Sequence, residues 1–308
     1  MDKQYSEIIG IGAAVYDTLM VVDGYPKEDT KQQSLETKVQ GGGPCATALV
    51  AARKLGVSAA YLGTLGKDPF GDFLLEDLKH WGVDTSYVRR VPDGVSFHSV
   101  VLLNRAGGSR TCVWNKGTVE EPAEGDVDTD LLRQAKVLHL DGHMGKAALY
   151  AAGLCRGFGV KVSLDADGIY PETEKLLPLV DYLVPSERFA LRFTGAETPE
   201  QAARELYEKY RPELLAVTQG DRGGILMDEQ GMRRYACYPV EVVDSNGCGD
   251  TFHGALIAGK IRGLNNDAAC RYASAAAAIK CMRLGARYAM ADDAECREFL
   301  RERGEPLE

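Results

Sequence analysis

Positive charge is in deficit. The 36 Lys and Arg stand against 45 Asp and Glu, a net charge of −9, which argues against nucleic acid as a partner. No apolar run approaches the length needed to cross a bilayer, so no membrane partner is expected. The segment Met1-Asp2-Lys3-Gln4-Tyr5 lacks the charged and apolar regions of a secretory signal, and a cytoplasmic location is expected. The 8 cysteines are scattered, with no C-x-x-C pair. That speaks against structural zinc and a disulfide framework, which a chain of 308 residues does not need to hold a core. There is no internal repeat, low-complexity tract or flexible linker, so residues 1–308 read as a single domain.

What is present is alternation. Short β-rich runs (Ile8–Gly12, Ala59–Gly63, Val137–Leu140, Val160–Asp165, Tyr182–Val184, Leu214–Thr218) are interleaved with helical patterns. The helices are expected at Pro44–Leu55, Phe70–Trp81, Lys146–Phe158, Pro199–Tyr210, Gly249–Arg262 and Asn266–Met282. Such alternation predicts an α/β domain with a mostly parallel sheet covered by helices on both faces. Ligands then bind at the carboxyl ends of the strands, which puts Asp165, Thr218 and the 244–250 turn on one rim. Residues 18–39 and 96–113 break the pattern. They are strand-like, include a turn at Ala106-Gly107-Gly108, and predict a small antiparallel sheet projecting from the main domain.

The most telling segment is Asp244-Ser245-Asn246-Gly247-Cys248-Gly249-Asp250-Thr251-Phe252-His253-Gly254. A glycine turn running into a helix leaves N–H groups unpaired at the positive end of the helix dipole, a ready anion site. Asp250 beside it can take a proton from a hydroxyl while the amides of Gly247, Cys248 and Gly249 hold developing phosphoryl charge. The competing role for Asp250 is a plain helix-start acid. Two other glycine patterns mislead. Gly10-Ile11-Gly12 has Val15 where a dinucleotide fingerprint needs a small residue, and Gly254–Lys260 lacks the Ser or Thr of a P-loop and lies inside a helical pattern.

The same segment resembles the D-T-x-G-A-G-D-x-F-x-G box of the PfkB/ribokinase family of carbohydrate kinases, with Ser245 for Thr and Cys248 for Ala. Gly41-Gly42-Gly43-Pro44-Cys45-Ala46-Thr47-Ala48 and Leu62-Gly63-Thr64-Leu65-Gly66-Lys67-Asp68-Pro69-Phe70-Gly71 resemble two further marks of that family, in the family's order. The resemblance implies a ribokinase-like three-layer domain with a small β-sheet lid. It implies Asp250 as general base and a sugar contacted by Asp17, Gly42 and Gly43, with Thr47 standing where many members carry a sugar-binding Asn. Arg110 is a further sugar candidate from the lid, and His253, in place of a polar residue that is often Asn, either faces the sugar or covers the helix start. It implies ATP near Thr218, Gly220, Gly223 and Asn246, and a homodimer formed through the lid. Mg²⁺ is expected with the nucleotide. The family's N-x-x-E metal motif falls at Pro185-Ser186-Glu187-Arg188-Phe189 without its Asn and Glu, leaving Glu187 and Asp244 as metal candidates. Carbonyls around Asp244, Asn246, Lys280, Arg283 and Gly285 match the family's monovalent-cation loop, which makes K⁺ a candidate, although Ala289 stands at the late Ser position.

Several motifs also look similar to sulfofructose kinases. Asp141-Gly142-His143-Met144, however, occupies the stretch where those enzymes carry an Arg for the sulfonate. An anionic sugar needs a fixed cation, and Arg110 and Lys116 are the lid candidates. The expectation is therefore an ATP-dependent kinase for a primary hydroxyl of a small sugar, a ketose or pentose. A sulfofructose kinase, a nucleoside kinase and a sugar-binding regulator without turnover are the alternatives.

Overall fold

The computed structural model of the protein describes residues 6–107 and 109–307. The 1–5 segment and Gly108 of the expected lid turn lie outside the described residues. An eight-stranded sheet forms the centre. Its parallel strands Ala59–Tyr61, Ile8–Ile11, Val137–Leu140, Lys161–Ala166, Tyr182–Pro185 and Leu214–Thr218 lie side by side in that order. The hairpin Gly224–Asp228 and Gly231–Tyr235 adds two antiparallel strands at one edge. The apolar runs in the sequence match the six parallel strands to within a residue or two at each end, but do not reveal the hairpin.

Side chains alternate across the sheet, as strand geometry requires. Ile8, Val137, Tyr182 and Leu214 join a core under the helices Pro44–Lys54, Cys248–Ile261, Asn266–Cys281 and Asp293–Glu302. Ile9, Leu138, Leu183 and Leu215 face the opposite core, under Gly145–Phe158 and Pro199–Tyr210. Burial on both faces explains why these strands read as continuous apolar runs. Helix starts follow local chemistry: Asp68 accepts from the Gly71 N–H ahead of Pro69, and Thr198 accepts from the Gln201 N–H ahead of Pro199. Gly10 must lack a side chain, because a Cβ there would lie 2.6 Å from Leu49 and 2.7 Å from the Cys45 sulfur on the covering helix.

A second, four-stranded sheet takes the order Glu36–Gly42, Val15–Val22, His98–Asn104, Arg110–Asn115. It is mixed, not antiparallel throughout: Val15–Val22 and His98–Asn104 run parallel. The reason is the connection between them, which passes through the Pro44–Lys54 and Pro69–His80 helices and so returns in the same direction.

Candidate active site

The carboxyl ends of the parallel strands bring Gly12, Asp141, Asp165 and Thr218 to one rim, beneath the start of the Cys248–Ile261 helix. Gly247 precedes that helix in the left-handed region (φ 78°) and offers no capping side chain. The first-turn amides are thus left for a ligand, except that of Cys248, which makes a long 3.4 Å contact to the Ser245 carbonyl. Thr251 clamps the turn by donating to the Gly247 carbonyl from both its N–H (2.9 Å) and its hydroxyl (2.7 Å).

Asp250 stands in the first turn and is half-buried. Burial, reinforced by the charge of Asp165, pushes its carboxyl up to about 7, against the opposing pull of His253 and Arg110. His253, one turn further along, does not reach an open surface. It is 5 % exposed, and its Nε2 lies 3.2 Å from Asp165 Oδ1. Burial disfavours the His253 cation, but the Asp165 charge and hydrogen bond raise its pKa overall. The same pairing holds Asp165 below the usual carboxylate range although burial works against it. His253 is thus engaged by Asp165, whose charge also acts on Asp250.

Asp17 is buried where the small sheet meets the domain, and accepts from Ser99 Oγ at 2.6 Å. Burial raises its pKa, while the Ser99 bond and the charges of Arg287 and Arg110 counter the rise. Gly42 lies so close that any side chain there would strike the Asp17 carboxylate, and Gly43 takes φ 90° against the Ala13 carbonyl. Arg110 is exposed on the outer strand, yet its charge is felt by both Asp17 and Asp250. Thr47 is fully buried, and its hydroxyl accepts from Arg287 Nε at 3.4 Å.

Arg287 belongs to no motif in the sequence. Fully buried, it pairs with Asp77 and donates to the Gly42 carbonyl at 2.8 Å, so it holds the glycine loop from behind. Asp141, which the sequence marks only by the arginine absent beside it, has a structural role. Its Oδ2 accepts from the Ala13 (2.8 Å) and Cys45 (3.0 Å) amides and its Oδ1 from the His143 amide (2.9 Å), which ties three loops of the rim together. An acid at a strand end is the one hint of that role in the sequence.

Beside the glycine turn opens a cleft of about 600 Å³. Thr218, Gly220 and Gly223 line it together with the apolar Val240 and Ala278, and Cys248 and Gly249, next to Asp250 in the chain, line it too. Asn246 donates its N–H to Asp244 Oδ1 at 2.8 Å within the glycine turn. The two metal candidates are already engaged. Glu187 accepts from Gln219 (3.1 Å) and pairs with Arg222. Asp244 is fully buried, with its oxygens on the Asn246 and Gly285 amides and Lys280 Nζ 3.6 Å away. Lys280, also fully buried, donates to the Asp244 carbonyl at 2.6 Å. Among the described residues no group of three or more His, Cys, Asp or Glu side chains could hold a metal ion.

The model of the pfkB family carbohydrate kinases matches residues 6–293. Mouse (Mus musculus) ketohexokinase is 27% identical over 285 residues, 89% of this chain and 96% of that protein. The structure of Arabidopsis thaliana ribokinase complexed with ribose and ATP superposes with a TM-score of 0.84 at 26% identity, covering 97% of this chain and 99% of that one. An Escherichia coli chain solved in complex with ATP and Mg²⁺ gives 0.84 at 25% identity, over 96% and 99%.

Proposed function

From the premise that the chain belongs to the PfkB family of carbohydrate kinases, and so is a phosphotransferase with an alcohol acceptor, we propose that it moves the γ-phosphoryl group of ATP to a primary hydroxyl of a small neutral sugar, with Asp250 as general base. The observation that carries this reading is Asp250 itself, a carboxylate at an uncapped helix start whose proton affinity is tuned to about 7. A base near the working pH can accept the hydroxyl proton as the oxygen attacks phosphorus and release it afterwards. The first-turn amides, Gly249 foremost, face the charge that develops on the phosphoryl oxygens. Asp17, with one oxygen on Ser99, keeps acceptor capacity for sugar hydroxyls beside the bare backbone of Gly42 and Gly43.

The 600 Å³ cleft suits a nucleotide, with a flat base between apolar walls and phosphates directed to the glycine turn. Bound with ATP, Mg²⁺ would supply charge neutralisation at the phosphates. Glu187 and Asp244 do not fit as its ligands, since Arg222, Gln219, Lys280 and backbone amides already occupy their oxygens. The substrate phosphates and water suit an ion that binds few protein carboxylates.

The loop matched to a monovalent cation already carries the Lys280 ammonium on the Asp244 carbonyl. Turnover is therefore expected to be similar in potassium and choline salts of equal ionic strength. A potassium gain of about tenfold, about 1.4 kcal/mol, would reject Lys280 as the built-in cation.

The small sheet acts as the lid and as a dimer surface. Val39, Val100 and Val113 align across its strands through Thr18 and are 41%, 40% and 69% exposed. An apolar row of this kind is a natural association face. Sedimentation should show a dimer in the native chain and a monomer for Val113→Asp; an unchanged mass for the variant removes this face from the interface.

ADP release across a sugar panel tests the substrate. Neutral ketoses and pentoses should give higher kcat/KM than phosphorylated or sulfonated sugars, because the buried cations Arg287 and Lys280 are already engaged by Asp77, the Gly42 carbonyl and the Asp244 carbonyl and are not left to match a fixed anion. One observation favours a second reading, an anionic sugar: the Arg110 charge reaches both Asp17 and Asp250. If a sulfosugar leads the panel and Arg110→Ala abolishes that lead, the second reading replaces the first. No ADP release with any sugar would leave a binding protein without turnover.

A further inference from the structure

Two cysteines meet in the lining of the cleft. Cys248 is the first residue of the helix that carries Asp250, and Cys281 is the last residue of the helix packed beside it. Their sulfurs are 2.6 Å apart, both side chains are half-buried, and both line the cleft. Cys45, Cys155, Cys270 and Cys296 are by contrast fully enclosed, and Cys112 is exposed on the outer lid strand. A thiol reachable from solvent and in contact with a second thiol is the microenvironment of a reactive cysteine with its resolving partner.

We propose that Cys248 and Cys281 are a thiol modification site that takes low-molecular-weight disulfides and closes to a cross-link, which stops the phosphoryl transfer. In the first step the Cys281 thiolate attacks one sulfur of R–S–S–R, forming a mixed disulfide. The expelled RS⁻ takes up the proton that Cys281 lost, leaving as RSH. In the second step Cys248 loses its proton, and its sulfur attacks the Cys281 sulfur of the mixed disulfide. The Cys248–Cys281 bond forms and a second RSH leaves. The two cysteine thiols are oxidised, and one external disulfide is reduced to two thiols. The cross-link ties the anion-binding turn to the neighbouring helix. The turn then cannot settle around the phosphoryl group, and misplacement by about 1 Å at such a site costs about 10² in rate.

The loss of turnover rests on the kinase reading above; the cross-link does not. Full-length protein is incubated with oxidised glutathione, free thiols are alkylated, and the peptides are mapped alongside ADP release. A peptide joining Cys248 to Cys281 is expected, together with a fall in turnover of about tenfold or more that dithiothreitol reverses. ATP should slow the cross-link by filling the cleft. Cys281→Ser should show equal activity before and after oxidant, whatever its starting level, while Cys112→Ser responds as the native chain does. Absence of the joined peptide, or an equal loss in Cys281→Ser, overturns the proposal. A joined peptide in a protein that turns over no sugar would leave the thiol pair standing and reject the kinase reading instead.

Discussion

Asp250→Asn is expected to lower kcat by about 10² or more, the scale of a lost general base, while sugar affinity stays close to that of the native chain. Asn keeps the shape and cannot accept the hydroxyl proton. Turnover within a few-fold of native would remove Asp250 from the chemistry. In the native protein kcat/KM should rise with pH up to about 7 and then level, because the working form is the carboxylate, and this limb should vanish in the variant. Stability should move the opposite way. The folded pKa of about 7 lies above the ordinary 3.8, so the folded chain binds this proton more tightly than the unfolded one. That contribution is fully present below 3.8 and is lost as pH rises through about 7. Asn never ionises. The variant should therefore be more stable than the native chain above about pH 7, by up to a few kcal/mol, since each tenfold change in proton affinity is worth about 1.4 kcal/mol. The gap should close in acid, and melting temperatures at both ends of the pH range check it. Equal melting temperatures throughout would mean that burial does not penalise this charge.

Asp17→Ala is expected to weaken sugar binding by about 1.5–3 kcal/mol, the loss of a charge-assisted hydrogen bond, or about tenfold to a hundredfold in KM for the sugar. The KM for ATP should barely move, since Asp17 does not line the nucleotide cleft. Titration calorimetry with each ligand separates the cases. Equal weakening of both ligands points to a folding defect, because the variant also frees the Ser99 hydroxyl in a buried position. Unchanged sugar affinity takes Asp17 out of the sugar site.

The glycine turn was legible in the sequence because its physics is local. Gly247 at φ 78°, the helix that follows and the acid in its first turn lie within a few residues of one another. The parallel strands were legible for a related reason, since burial on both faces leaves continuous apolar runs. The lid was legible as strands but not as a pairing. The parallel partnership of Val15–Val22 with His98–Asn104 depends on the course of the chain between them. Thr47 and His253 illustrate the other limit. Their positions in motifs did not reveal their partners in the fold, Arg287 for one and Asp165 for the other.

By itself the sequence determined the α/β class, the order of its motifs and the residue at the helix start, because propensity, turn chemistry and apolar period act between near neighbours along the chain. Only the tertiary structure decided what surrounds that residue. Burial and the charge of Asp165 raise the pKa of Asp250, Arg287 grips the Gly42 carbonyl, Lys280 holds Asp244, and Cys281 meets Cys248. Charge and burial act through space, so groups far apart in the chain set one another's chemistry once the sheet and its covering helices have brought them into contact.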